Sequence, residues 1–340
     1  MTKKKIYAVN LLILVLSVII TLVVIEIVVR QFVNLPSRVN RGLFVADEKT
    51  GYKMVPNFDG TTGLIRVFTN SNGHRVSKPD QEHNQYKIVA FGDSFVFGHL
   101  TEYSETFIGI LEKQLSEPIL NAAVSGYNLK QTHASIKSYM RSNSPETVIV
   151  GIDIASDIEN QIDDDINWIS VYYGSLFSRT DQNYINVIRA FLANYSDAYY
   201  LFIEQKLKKI WLELSVKDRP VSIEYLYENP KNEYEVKLAY TKIKKIITEI
   251  NDTIKDKASL IVILNPRPTD LRNYSENSLY QITLQILSQL NIPTVNLQET
   301  YENEKFEDLV LSSVDTHPNI KAHKLIGDAL FKQIRLLKFF

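Results

Sequence analysis

Cysteine is missing from the chain, which rules out disulfides, thiolate metal sites, a cysteine nucleophile and an acylated-cysteine anchor. The redox compartment stays open, because many exported proteins also do without it. An excess of charge is missing as well. Lys and Arg number 38 against 39 Asp and Glu, a formal net charge of −1, so there is no basic field for a polyanion and nucleic acid is not expected as a partner. No internal repeat and no low-complexity tract is found. At 340 residues, 45% hydrophobic and 23% charged, the chain has room for an anchor plus one large domain or two small ones.

The charge deficit is deepest near the N-terminus, where Ile6 to Val29 run almost unbroken in apolar residues. As a helix this stretch would be about 36 Å long, enough to cross a hydrocarbon core of ~30 Å with some tilt. Asn10 lies near its entry, and Glu26 near its exit with Arg30 four residues on as an ion-pair partner. No small-x-small site follows, so an uncleaved anchor is expected rather than a removed signal peptide. Lys3, Lys4 and Lys5 precede the run and favour a cytoplasmic N-terminus, with the rest outside, in the periplasm or at the cell surface. Arg30, Arg38 and Arg41 follow closely and weaken that bias. Residues 1–30 are thus expected as a transmembrane anchor that meets the bilayer through residues 6–29.

Residues 31–85 read as a juxtamembrane link and a small β element beside the main domain. Ile65 and Val67 alternate with Leu64, Arg66 and Phe68, and Asn72-Gly73 is a hairpin turn signal. From Lys87 the rhythm becomes strand, loop, helix, repeated. Apolar runs at 87–91, 119–124, 146–152, 259–266 and 292–297 alternate with helical spacing such as Phe107, Ile110, Leu111 and Leu115. That alternation predicts a three-layer α/β/α sandwich over 86–340, with a parallel, flavodoxin-like sheet. The rhythm breaks from about 163 to 257, an aromatic-rich stretch expected to be a helical insertion. It packs on the main domain, caps the active site or lies on the bilayer.

Chemistry concentrates in two loops. The first strand ends in Gly92-Asp93-Ser94 with Gly98 beyond, which puts a hydroxyl at the carboxyl edge of the sheet, where open α/β folds build their sites. A Gly-Asp-Ser triplet alone is also what a turn and a helix cap look like. Near the C-terminus stands Asp315-Thr316-His317-Pro318-Asn319, ahead of a terminal helix that Asn319 would cap. A carboxylate two residues from an imidazole can hold one ring nitrogen while the other faces a nucleophile. With Ser94 as nucleophile, Asp315 and His317 supply the acid and base partners. His74, His83, His99, His133 and His323 show no metal-ligand spacing, and the Asp163-Asp164-Asp165 run lacks the glycine-punctuated loop of a cation site. No metal and no cofactor is expected.

FGDSFVFG resembles the first signature block of the SGNH (GDSL-like) hydrolase superfamily, and DTHPN followed by His323 resembles its last block. The form is that of membrane-anchored and alginate-O-acetyltransferase-like members. The likeness covers roughly residues 86–160 and 258–336, and the upstream YKMVPN and TNSNGHR resemble a stretch preceding the catalytic block in membrane-anchored relatives. It implies an oxyanion hole built from the amides of Ser94 and Gly126 and a side chain from a third block. There the chain departs from the family. Ser156 stands where relatives carry an Asn amide, so a shorter hydroxyl would be the third donor, with Asn128 or Asn160 as replacements. The resemblance further implies a membrane-anchored serine esterase acting on short acyl esters, O-acetyl foremost, of cell-envelope glycans. The alternatives are an O-acetyltransferase on the same glycans, or a catalytically weak glycan-binding or assembly component of a polysaccharide machine.

Overall fold

The structure, a computed structural model, describes residues 3–33, 42–62, 65–79, 81–83, 85–160, 169–178, 184–204, 206, 233–266, 278–312 and 315–337. Five strands form the parallel heart of the sheet: β6 (Ile88–Phe91), β7 (Ile119–Asn121), β8 (Thr147–Asp153), β11 (Ser259–Asn265) and β12 (Thr294–Asn296). They are ordered β12-β11-β8-β6-β7. The chain starts at β6, steps one way to β7, then crosses back to β8 and beyond. This flavodoxin-like order leaves a switch point between β6 and β8, where a crevice opens at the carboxyl ends.

Period-two alternation builds two cores. Ile88, Ala90, Ile149, Ile261 and Ile263 face one side, where α3 (Phe107–Leu115), the short α9 (Leu297–Thr300) and α10 (Ile320–Leu336) bury Phe107, Leu111, Leu297, Ile326 and Leu330. Val89, Phe91, Val148, Val150 and Val262 face the other. There α4 (Leu129–Tyr139), α7 (Glu233–Ile254) and α8 (Leu279–Gln289) bury Ile136, Ile243, Ile247, Ile250 and Ile286. Each such Ile or Leu contributes about 1.5–3 kcal/mol by leaving water. The sandwich therefore has the three layers that the alternation predicts.

Two expectations change. The small β element does not sit beside the sheet but extends it: β3 (Asp59–Thr62), β4 (Ile65–Thr69) and β5 (Arg75–Val76) continue the order beyond β7 as antiparallel strands. The edge of β7 would otherwise expose unpaired backbone, and one register pair, Arg75 with Asn121, is enough to recruit the hairpin. The expected turn lies between β4 and β5, with the Gly73 N–H donating to Asn70 O at 2.9 Å.

The insertion is not purely helical either. Its described part holds the hairpin β9 (Ile169–Tyr172) and β10 (Ser175–Ser178), then α5 (Tyr184–Tyr195) and the short α6 (Asp197–Tyr199). Residues 233–254, placed in the insertion by sequence, are α7, a core crossover. Asp163, Asp164 and Asp165 fall outside the described residues. The N-terminal run forms α1 (Lys3–Phe32), long and apolar enough to cross a membrane or to act as a signal sequence. A further hairpin, β1 (Phe44–Asp47) with β2 (Gly51–Met54), packs near β9.

Candidate active site

After β6 the chain turns at Gly92 and enters α2 (Ser94–Phe97). Two glycines allow α2 to lie across the strand ends. A Cβ on Gly92, φ +155°, would come within 2.4 Å of Val96 Cγ2, and one on Gly151 within 2.2 Å of the same atom. Asp93 caps α2, its Oδ1 accepting the Phe95 N–H at 2.9 Å. Ser94 is thereby raised at the switch point.

The C-terminal loop meets it from 223 residues away, with Ser94 Oγ 2.8 Å from His317 Nε2. His317 Nδ1 lies 2.7 Å from Asp315 Oδ1. The loop is tied down by Leu311 N–H to His317 O and Asp315 N–H to Ser312 Oγ, both 3.0 Å. Asn319 caps α10 as its position predicts, accepting from Ala322 N–H at 3.1 Å. Burial pulls the His317 pKa down, but the hydrogen bond and charge of Asp315, helped by the more distant Asp93 and Asp153, outweigh it and hold the imidazole above its ordinary value. Burial pushes Asp315 up, and the bonds and charge of His317 win, leaving it below the usual carboxylate range. The serine, imidazole and carboxylate expected from the sequence are thus brought into one hydrogen-bonded line.

Gly126 lies in the loop after β7, in a turn with φ +83° closed by Tyr127 N–H to Val124 O at 3.1 Å. The β1–β2 hairpin buttresses it. Tyr52 Oη donates to Ser125 O at 3.1 Å and Tyr127 Oη to Tyr52 O at 2.6 Å. Among the described residues no hydrogen bond from the Ser94 or Gly126 amide is found.

Ser156 is placed otherwise than expected. Its Oγ lies 2.9 Å from Asp93 Oδ2 and 3.0 Å from Asp153 Oδ1, so its hydroxyl bridges two carboxylates. The chain leaves β8 as a wide π-helical turn over Ile154–Asn160, which carries Ser156 back under Asp93. Asn265 Nδ2 donates to Asp153 Oδ2 at 2.6 Å and Asp153 N–H to Asp157 Oδ2 at 2.9 Å. Burial, then the Asp153 charge, pushes Asp93 up to about 6. Asp157, buried beside the same two carboxyls, is driven well above the usual range. Asn128 is buried and caps α4, its Oδ1 accepting from Gln131 N–H at 2.9 Å. The Asn160 side chain lies outside the described residues.

His99 joins the site without a sequence signal beyond its place five residues after Ser94. Its ring stacks on that of His317, centroids 4.3 Å apart and planes tilted 38°, and its Nε2 is 3.8 Å from Asp315 Oδ2. Burial, then the nearby His317, brings it down to about 4, so it is a neutral ring at pH 7. Arg75 of β5 holds the loop that carries it, donating to Gly98 O at 2.8 Å and Thr101 O at 2.7 Å. His99, Asp315 and His317 are the group of ligand atoms, all within 4.8 Å, that could hold a metal ion among the described residues. Two of the three, Asp315 and His317, are the residues aligned on Ser94, so a metal there would compete with that alignment. His323 is buried in the core, where its Nδ1 accepts the Phe107 N–H at 3.3 Å. A cleft of about 540 Å³ between the β1–β2 hairpin and α4 contains none of these groups.

No family model and no curated protein matches the chain. Solved structures do. A G-D-S-L family lipolytic protein from Desulfitobacterium hafniense is 12% identical, covering 73% of this chain and 99% of its own, TM-score 0.39. A lipase/acylhydrolase from Enterococcus faecalis is 14% identical over 74% and 97%, TM-score 0.41. A catalytic mutant of an acetylxylan esterase from Geobacillus stearothermophilus is 15% identical over 75% and 96%, TM-score 0.38.

Proposed function

We propose that the chain is a serine hydrolase of the SGNH type, with Ser94 as nucleophile, His317 as base and Asp315 as its orienting acid. The observation that carries this reading is the unbroken line from Ser94 Oγ through His317 to Asp315, at 2.8 and 2.7 Å. His317 Nε2 takes the Ser94 proton as Oγ attacks an ester carbonyl, while Asp315 holds Nδ1–H and balances the imidazolium. The Ser94 and Gly126 amides receive the oxyanion. His317 then protonates the leaving alcohol, and water, or a sugar hydroxyl, releases the acyl group.

The motif resemblance supports short acyl esters, O-acetyl foremost, on envelope glycans as substrate. The lysines in the first turn of α1 and its apolar length support a single-pass anchor with the domain outside, facing envelope polysaccharide machinery. A second reading has its own observation. With Ser156 turned to Asp93 and Asp153, the oxyanion hole has two donors in view, as suits a weak enzyme or a glycan-binding component.

Hydrolysis and transfer of an acetyl ester by the full chain, with Ser94→Ala as control, test both. Turnover that vanishes in Ser94→Ala supports the enzyme. Turnover that persists in it removes Ser94 from the chemistry. Absence of turnover, with glycan binding retained by Ser94→Ala, favours the binding reading.

A further inference from the structure

Helix α5 is amphipathic in the wrong sense for a water-facing helix. Tyr184, Ile188, Phe191 and Tyr195 recur at i, i+4, i+7 and i+11 and so share one face. That face is 90, 58, 44 and 56% exposed, whereas Ala190 and Asn194, turned into the protein, are 3 and 6% exposed. Ordinary surface helices do the reverse and bury the apolar stripe. The patch is continued by neighbours. Tyr173, in the β9–β10 turn, meets Phe191 and Tyr195 with ring centroids 5.2 and 5.9 Å away. Phe202 and Ile203, both exposed, are held against α5 by the paired bonds of Arg189 to the buried Glu204, 2.8 and 3.0 Å.

The position of this patch is fixed relative to α1. The Glu26 carboxylate accepts from Ser196 Oγ–H at 2.7 Å, Asp197 N–H at 2.8 Å and Ala198 N–H at 3.0 Å, and so closes the start of α6. Arg30 pairs with Glu26 at 2.7 Å and donates to Tyr195 O at 2.7 Å. These contacts lie one turn or two from the exit end of α1, where about twenty preceding residues already fill the hydrocarbon core. Tyr195 is at once the last residue of the exposed stripe and the residue on which Arg30 of the anchor rests.

We propose that the exposed face of α5, with Tyr173, Phe202 and Ile203, is seated in the interfacial layer of the bilayer that α1 crosses. Continuity with α1 selects lipid as occupant. An aromatic-rich stripe belongs at headgroup depth, where rings with polar tips gather. This rests on the reading of α1 as a membrane anchor. It makes the insertion a second attachment that fixes how the hydrolase domain stands on the membrane.

The absence of cysteine gives a direct test in the full chain, reconstituted in phosphatidylcholine vesicles. Single variants Ile188→Cys, Phe191→Cys and Phe202→Cys carry a polarity-sensitive fluorophore. Val18→Cys within α1 and Lys137→Cys, at an exposed position of α4, are the references. Labels at 188, 191 and 202 are expected to be blue-shifted and quenched by spin-labelled lipid, and the label at 137 to be quenched only by aqueous iodide. If 188, 191 and 202 behave like 137 while 18 is quenched by lipid, the anchor stands and the interfacial proposal falls. Shielding from both quenchers would mean a protein partner covers the patch and would equally overturn it. If 18 itself escapes lipid quenching, the anchor reading is what fails.

Discussion

Ser156→Ala separates a structural bridge from an oxyanion donor. A hydroxyl has one proton, yet Ser156 Oγ sits 2.9 Å from Asp93 and 3.0 Å from Asp153. Both contacts are satisfied when Asp93 keeps its proton and donates to Oγ while Oγ–H donates to Asp153. Asp93, pushed up to about 6, is the carboxyl suited to that role. A carboxyl raised in the folded state contributes stability below its unfolded pKa near 3.9 and loses it as pH rises through about 6. Above that pH Ser156 Oγ–H donates to the ionised, buried Asp93, whose pKa that bond lowers, and removing it costs about 1.5–3 kcal/mol; below it, with Asp93 neutral, the loss is nearer ~1 kcal/mol. Thermal melts of the full chain in detergent should therefore show a drop on the order of 5 °C at pH 8 and a smaller one at pH 5. Turnover of the folded variant should fall less than roughly tenfold, against the 10²–10³ expected on losing an oxyanion donor. A loss of that larger size with unchanged melting would refute the bridge.

Because His317 is held above its ordinary value by Asp315, activity should be lost as pH falls through an acid limb above 6.5. Asp315→Asn should lower that limb and cut kcat on the order of 10⁴-fold, read from kcat/KM against pH. Asp157→Asn removes a buried carboxyl whose folded pKa is raised, so the variant should melt higher than the parent at pH 8 and match it near pH 4. Equal melting at both would deny the repulsion. His99→Ala should lower kcat up to about tenfold with little change in KM as the stacked support of His317 is lost, while His99→Phe, which keeps a ring there, retains most activity.

The parallel strands were legible because most are short apolar runs buried on both faces, and the helices because their stripes repeat at 3.6. Ser94 and the Asp315-His317 pair were legible because a strand-end serine and a loop Asp-x-His are local patterns. What local pattern does not carry was missed. The pairing of Arg75 with Asn121, which draws the small hairpin into the sheet, joins residues far apart in sequence. The stacking of His99 depends on how α2 ends and on Arg75 clamping that loop. Ser156 was placed by alignment to a donor, but a wide turn after β8 swings its hydroxyl back to Asp93. Composition marked the α5 region as aromatic-rich and helical without saying that its aromatic face points outward.

Reaction of the full chain with a fluorophosphonate, followed by peptide mass mapping, tests most directly whether Ser94 is a nucleophile activated by His317. The phosphonyl group should bond to Ser94 Oγ with loss of fluoride, one adduct per chain, absent in Ser94→Ala and strongly slowed in His317→Ala. An unlabelled but folded chain, or an adduct on a different residue, would contradict it.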